Sequence, residues 1–453
     1  MSVLGKSNDG AWRLCGGRGV KFVSTRGDGP VSLDEALVKG IADDGGLFLP
    51  ESLPAFDVAD FDNARDIADV AGVLLAPFFA ASSLRDDLGS ILAETFNFSI
   101  PVRDLPHGKA SMLELFHGPT AAFKDVGAGF LAACLTRLEG DEASPLTILV
   151  ATSGDTGGAV AAAFDGRPGM RVVILYPHGR VSARQEQQLC CWSDNVLTLR
   201  VQGSFDDCQA LAKAALADAE LSSRVRFSSA NSINIGRLLP QAIYYADASL
   251  RHFGNTGEKP GFVIPTGNLG NAFACVLARE LGLPIGPIML ATNANRSIAD
   301  YFESLQWSPR RSVQTLASAM DVGDPSNMER LRGLIGEADV LRERLTVTSV
   351  DDEQIEAEIR RSFAEYGFAI CPHTATASYA WRHMHRAERD STHWILVATA
   401  HPAKFETIVE PLINSDVALP DELAAILSRP SSVTDIEPTL EVLVDAMREN
   451  FPS

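Results

Sequence analysis

The sequence predicts an α/β fold, parallel sheet joined by crossover helices, and three observations carry that prediction. Short β-branched apolar runs recur through the later part of the chain: LTILVAT (146–152), RVVILYP (171–177), GFVIP (261–265), PIMLAT (287–292) and HWILVAT (393–399). Stretches of helical periodicity lie between them, as crossovers between parallel strands require. The 453 residues allow two or three domains or subdomains, and the apolar share of 46% is ordinary for a soluble globular chain.

Residues 1–20 read as a loose lead-in, because Gly16, Gly17 and Gly19 crowd together. Organisation begins at FVSTRGDGPVSLDEALVKG, where Ser32 followed by Glu35 has the pattern of a capping box. Leu33, Ala36, Leu37 and Ile41 continue one helical face, and Gly45, Gly46 and Pro50 close the element. The text stays mostly helical to His107, with runs such as VAGVLLAPFF and no phosphate loop, so 21–107 is expected to form an N-terminal domain. Residues 108–430 carry the strand–helix alternation. One of their helices is well marked, over 351–366: Ile355, Ile359 and Phe363 share a face, Asp351 and Asp352 sit at its start, Arg360 and Arg361 follow, and Gly367 is the stop. The last segment, 431–453, reads as a helical tail.

The formal charge of −19 argues against a nucleic-acid partner, since phosphate neutralisation needs a basic surface. An anionic ligand would have to be held by a local cluster of donors, against the net charge. The cysteines, Cys15, Cys134, Cys190, Cys191, Cys208, Cys275 and Cys371, form no C-x-x-C pair and are odd in number. A disulfide framework and a zinc site are therefore not expected, and a reducing, cytoplasmic location is. The first residues contain no apolar core of a secretory signal, and no stretch is long and apolar enough to span a bilayer.

Five segments could carry chemistry. In PTGNLGNAFACVLAREL (265–281) a strand runs into a Gly/Asn turn that opens a helix, and the exposed N–H groups there would bind an anion, or simply end a capped helix. LVATSGDTGGAVAAAF (149–164) repeats the design, offering Thr152, Ser153 and Thr156 hydroxyls for a carboxylate or phosphate, or for a structural cap; Asp155 is out of place beside an anion. Two such helix mouths suggest two anionic groups, a phosphorylated cofactor and an acidic substrate. In LFHGPTAAFKDVGAGF (115–130) Lys124 is the one cation among small and apolar residues: a solvated surface lysine, or, if buried, a neutral amine able to form a Schiff base. SSANSINIGRLLPQAIYY (228–245) groups Ser232, Asn234 and Arg237 before an apolar helical run, as turn and cap residues or as a fork for phosphate. VATAHPAKF (397–405) places Thr399, His401 and Lys404 after a strand, at the edge where parallel sheets hold their ligands.

Taken in order, VSTRG (23–27), GIADDGGLFLP (40–50), ELFHGPTAAFKD (114–125), ATSGDTG (151–157), NSINIGR (231–237), PTGNLGN (265–271), AMDVGDPSN (319–327), PHTATA (372–377) and TAHPAKF (399–405) resemble the threonine synthase family, in its longer form with an extra N-terminal domain. The resemblance covers all but the first twenty and last twenty or so residues. It implies the fold of the tryptophan synthase β subunit, fold-type II, with two α/β lobes and pyridoxal 5′-phosphate between them. It implies that Lys124 carries the cofactor and is the catalytic base. Asp155, Gly267, Asn268, Leu269, Gly270 and Asn271 would contact the cofactor, the last five around its phosphate, and Thr399 would meet the pyridine nitrogen. Leu269 replaces the Phe more usual in the long form. Thr152, Ser153, Gly154 and Thr156 would grip the substrate carboxylate; Ser232, Asn234 and Arg237, with Arg26 and Lys404 as further candidates, would hold the substrate phosphate. No metal is implied. The expected reaction is γ-elimination of phosphate from O-phospho-L-homoserine followed by β-addition of water, giving L-threonine, in a monomer or homodimer. Two other readings remain at this point: a phospholyase of the same family that releases 2-oxobutyrate and ammonia, and a non-catalytic amino-acid sensor of the same fold.

Overall fold

A computed structural model describes residues 5–6, 12–13, 19–106, 109–139, 144–152 and 154–451. Most of the lead-in expected over 1–20 lies outside the described residues; within it Gly5–Lys6 pairs antiparallel with Trp12–Arg13. A hairpin of β1 (Phe22–Ser24) and β2 (Phe48–Pro50) brackets α1 (Leu33–Lys39). Ser32 caps α1, its hydroxyl accepting the Glu35 N–H at 3.2 Å. The Glu35 carboxylate reaches forward to Lys39 Nζ at 3.1 Å instead of back to the cap. Next come α2 (Ile67–Phe79) and α3 (Leu88–Thr95). They share a core with the rest of the chain, Phe79 meeting Phe130 edge-on at 6.0 Å. The expected boundary at 107 falls between two strands that pair antiparallel, β3 (Val102–Asp104) and β4 (Ala110–Glu114).

The remaining described strands are β5 (Leu146–Ala151), β6 (Met170–Pro177), β7 (Val196–Val201), β8 (Arg226–Ser228), β9 (Gly261–Pro265), β10 (Ile288–Thr292), β11 (Leu345–Ser349), β12 (Trp394–Ala398) and β13 (Thr434–Ile436). The larger sheet has the order β11-β10-β9-β12-β4-β3 and is parallel except at β3. The smaller has the order β8-β5-β6-β7-β13 and is parallel throughout. The apolar runs read from the sequence are β5, β6, β9, β10 and β12. Helices cover both faces of these central strands, which is why β5, β9, β10 and β12 are buried at every position and read as continuous apolar runs without alternation. The fold class is the expected one, two α/β lobes behind a mostly helical N-terminal part.

The crossovers that matter for the site are α4 (Lys124–Glu139), α5 (Asp155–Phe164), α6 (Phe205–Ala217), α7 (Gln241–Thr256) and α8 (Gly270–Glu280). Further on come α9 (Asp352–Tyr366) and α10 (Pro372–His383). Helix α9 is capped as its sequence demands: Asp351 accepts the Gln354 N–H at 2.9 Å, the Gln354 side chain returns to the Asp351 N–H at 3.0 Å, and Gly367 stops it at φ +74°. The C-terminal segment corrects the expectation of a helical tail. Strand β13 extends the smaller sheet beside β7, and only then does α11 (Leu440–Asn450) follow. Ile436, Leu443 and Met447 join the core formed by Leu199, Val201 and Leu211, while Arg200 and Asp435 pair at 2.7 Å and fix the register. A three-residue edge strand with one buried side chain is too short for periodicity to announce. No helix among the described residues is long and apolar enough to cross a membrane.

The candidate active site

Strands β5, β9 and β12 are followed directly by Thr152, Thr266 and Thr399, and their carboxyl ends open on one cleft between the sheets. Lys124 stands in that cleft as the first residue of α4. The turn before it is fastened twice. Asp125 accepts the Thr120 N–H at 3.0 Å and the Thr120 hydroxyl at 2.5 Å, and the Phe123 N–H donates to Thr399 O at 2.8 Å. One turn into α4, Gly127 lets the chain of Arg237 approach: a Cβ there would meet Arg237 O at 2.6 Å. A glycine in the first turn of α4 thus brings the 235–237 turn and its arginine beside the lysine.

Lys124 is enclosed by protein yet open to the cleft. Burial, opposed by Asp155 and reinforced by Arg237 and Lys404, brings its ammonium down to about 8. Asp155, 4% exposed, is the opposing charge. Burial alone would raise its carboxyl, but Lys404 at 2.8 Å and then Lys124 outweigh it, and the group is held well below the usual carboxylate range. The Gln185 amide adds a donor at 3.1 Å. An aspartate at an anion-type helix mouth is therefore neutralised from behind by a buried lysine.

The 265–271 turn forms the opposite wall. Gly267, Asn268, Leu269, Gly270 and Asn271 all line the cleft. Leu269 takes φ +62° ahead of α8, and no side chain caps this helix, so its amino end faces the cavity. At Gly267 a Cβ would lie 2.6 Å from Met320 Cα, so only glycine lets the 319–322 segment cross here. The Asn271 side chain is turned away from ligand duty: its Oδ1 accepts the hydroxyls of Tyr244 at 3.1 Å and Tyr245 at 2.6 Å. Asn268 instead links the walls, donating to Ser232 Oγ at 2.7 Å and accepting the Ser326 N–H at 2.7 Å.

Of the candidate substrate ligands, Thr152, Thr156, Ser232 and Arg237 stand in the cleft. The Thr152 hydroxyl also accepts the N–H groups of Gly154 at 3.0 Å and Gly157 at 2.9 Å and so shapes the mouth of α5. Ser153 lies outside the described residues, and Gly154 backs onto Gln185 rather than the cleft. Arg237 is 2% exposed; one guanidinium nitrogen donates to Ala230 O, and its Nε has no partner among the described residues. Burial lowers it to about 10, which still leaves it cationic at neutral pH.

Three candidates stand elsewhere. Asn234 is fully buried: its Nδ2 donates to Leu37 O at 2.9 Å and Ser229 O at 3.0 Å, and its Oδ1 accepts the Gly236 N–H at 2.9 Å. It fastens α1 to the 229–237 loop. Arg26 is 54% exposed and pairs with Glu329 at 3.0 Å, in a separate groove. Lys404 is spent on Asp155 and on Thr120 O at 2.8 Å and does not line the cleft.

Sequence reasoning passed over Asn231, Asn327, Arg330 and His373. Asn231 lines the cleft beside Ser232, its amide fixed on Ala151 O at 2.9 Å. Asn327 donates to Asn268 O at 2.9 Å, and Arg330, fully buried, holds Ser232 O, Ile233 O, Phe48 O and Asn327 Oδ1. Both residues thus brace the cradle from behind. The signal for Asn327 and His373 was their place in quoted motifs, 319–327 and 372–377, to which no role was attached.

Three residues that line the cleft each have a buried polar atom with no hydrogen-bond partner among the described residues: Arg237 Nε, Thr266 Oγ1 and His373 Nδ1. With the uncapped end of α8 and the lowered lysine, they fit a phosphorylated aldehyde that condenses with Lys124. The fold and this cleft define a pyridoxal-phosphate-dependent enzyme. The family model described as "Pyridoxal-phosphate dependent enzyme" matches residues 111–399, "Threonine synthase N terminus" matches 21–96, and "Threonine synthase, C-terminal" matches 374–447. Threonine synthase of Escherichia coli K12 is 39% identical over 400 residues, covering 87% of this chain and 91% of that one. The crystal structure of the Escherichia coli enzyme superposes with a TM-score of 0.87 at 36% identity, over 95% of this chain and 99% of that one. A threonine synthase from Brucella melitensis with pyridoxal phosphate bound gives 0.87 at 32%, over 96% and 100%. The chain belongs to the threonine synthase family, pyridoxal-phosphate-dependent lyases.

A pH dependence follows from the Lys124 environment. The neutral amine is the nucleophile, so the apo protein mixed with pyridoxal phosphate should gain visible absorbance at a rate that rises with pH through about 8 and levels above it. Asp155→Asn removes the neighbour that raises the value, and the plateau should then begin at lower pH. Stopped-flow absorbance across this range measures both; a midpoint near the ordinary lysine value of about 10.4 would contradict the environment described.

Proposed function

We propose that the enzyme converts O-phospho-L-homoserine and water into L-threonine and inorganic phosphate. Arg237 carries this reading: a buried cation, with an unpartnered Nε, in the same cleft as Lys124 and adjacent to a phosphate cradle. A second phosphate has a place there that an unphosphorylated amino acid would leave unfilled. In a chain of net charge −19, Lys124 and Arg237 face a cleft whose acidic member, Asp155, is already paired.

When bound, the cofactor supplies an electron sink for negative charge at the substrate's Cα and Cβ. The residues do the rest. The backbone of 267–271 and the amino end of α8 would hold the cofactor phosphate, and Asp155 and Thr399 would contact the rest of the cofactor. Thr399 would offer it a hydroxyl rather than a carboxylate, and so no acid to keep a ring nitrogen protonated. Thr152, Thr156 and the mouth of α5 orient the substrate carboxylate. Arg237, with Ser232 and Asn231, holds the phosphate through its departure from Cγ. Lys124 Nζ takes the proton from Cα and returns one there after water has added at Cβ. In this reading 21–107 and the segment after 430 support a catalytic part spanning 108–430, and the enzyme acts in the cytoplasm as a monomer or homodimer.

Oxygen-18 water tests the bond that breaks. The label should appear in the threonine hydroxyl and not in the released phosphate. Label in the phosphate would mean P–O hydrolysis and would sink the proposal, as would equal turnover of unphosphorylated homoserine.

A further inference from the structure

His373 is the second residue of α10 and is 3% exposed, with one edge on the cleft that holds Lys124, Asp155 and Thr399. Its Nε2 accepts the Ala319 N–H at 3.0 Å, so that nitrogen carries the lone pair. The proton of the neutral ring is then on Nδ1, the atom without a partner. The charges that face the ring come from other elements, Asp155 on α5, Lys124 on α4 and Lys404 after β12. Burial, helped by the two lysines and opposed by Asp155, brings the imidazolium down to about 4, so the ring is neutral at working pH. Phe405 packs against the ring at a tilt of 56°, with centroids 4.9 Å apart, and the Ala319 N–H orients it through Nε2. A desolvated N–H donor on the wall of a ligand cavity is unsatisfied unless a ligand satisfies it.

We propose that His373 is a further ligand-binding residue, whose Nδ1–H donates to an anionic oxygen of the bound cofactor or substrate while its Nε2 holds the 319–322 segment in the cleft wall. This rests on the reading of the cleft given above and adds to it a donor that brings no charge.

Two substitutions separate the nitrogens. In His373→Gln the amide oxygen can replace Nε2 toward Ala319, and the donor at Nδ1 is lost. In His373→Asn the amide N–H replaces Nδ1, and the acceptor for Ala319 is lost. The Gln variant should lose about 10- to 100-fold in kcat/KM on O-phosphohomoserine while its apo form melts near the parent; the Asn variant should stay within about fivefold, its apo form melting lower because the Ala319 N–H has lost its acceptor. Absorbance titration with pyridoxal phosphate alone then assigns the oxygen. A cofactor dissociation constant raised about tenfold in the Gln variant places it on the cofactor; an unchanged one with a raised KM places it on the substrate. A Gln variant equal to the parent in both measurements overturns the proposal, and so does an Asn variant that loses as much as the Gln variant. If the parent binds cofactor but makes no threonine, the functional reading fails, and the titration still decides whether His373 meets the cofactor.

Discussion

Replacing Lys124 by alanine should abolish the visible absorbance of the cofactor-loaded protein and lower turnover at least about 10³-fold. No other lysine among the described residues lines the cleft. Lys404 is fully buried, fixed on Asp155 and Thr120 O, and outside the cleft wall. The expected effect is chemical rather than structural, since Asp155 keeps its Lys404 partner and the turn before α4 keeps its Asp125 and Thr399 anchors. The melting temperature of the apo variant should therefore stay near that of the parent. Lys124→Arg should be nearly as inactive, because a guanidinium does not deprotonate at working pH. Full activity in Lys124→Ala would refute the role assigned to it.

Arg237→Met should lower kcat/KM about 10²- to 10³-fold, which corresponds to about 3 to 4 kcal/mol and is the loss expected when one member of a buried charge pair is removed. Methionine fills most of the same volume, so α4 and the 235–237 turn should stay in contact. Arg237→Lys should recover part of the loss, because it restores the charge but not the fork. Steady-state kinetics and cofactor titration, run on the same variants, tell the two phosphates apart. A loss confined to kcat/KM identifies Arg237 with the substrate. A loss confined to cofactor affinity would move it to the cofactor phosphate and remove the main support for a phosphorylated substrate.

The strands legible in the sequence, β5, β6, β9, β10 and β12, are those in which burial by helices is met by mostly apolar runs containing β-branched residues. The others were not. Strand β8 has three residues, β13 has one buried side chain, and β4, ASMLE, contains no β-branched residue. The site divides in the same way. Lys124, Gly267 and Arg237 could be found because each is an odd residue for its surroundings or opens a helix after a strand. Asn234 could not be told from Ser232, two positions away in the same turn. Which of two polar side chains faces the cleft depends on the turn's geometry, and Asn234 is claimed by Leu37 O, 197 residues distant in sequence. Arg26 was drawn off by Glu329 and Lys404 by Asp155, partners that only the tertiary fold brings near. His373 escaped notice for the opposite reason. Its importance lies in a nitrogen without a partner, and a sequence does not show what a side chain fails to meet.

The central claim is that the cleft completes synthesis rather than stopping at elimination. The measurement is a product balance on O-phospho-L-homoserine, with phosphate, L-threonine and 2-oxobutyrate counted in one reaction. Threonine equal to phosphate, mole for mole, is the predicted result. Phosphate matched by 2-oxobutyrate and ammonia would contradict it: the cofactor chemistry and both anion sites would stand, and the enzyme would be a phospholyase.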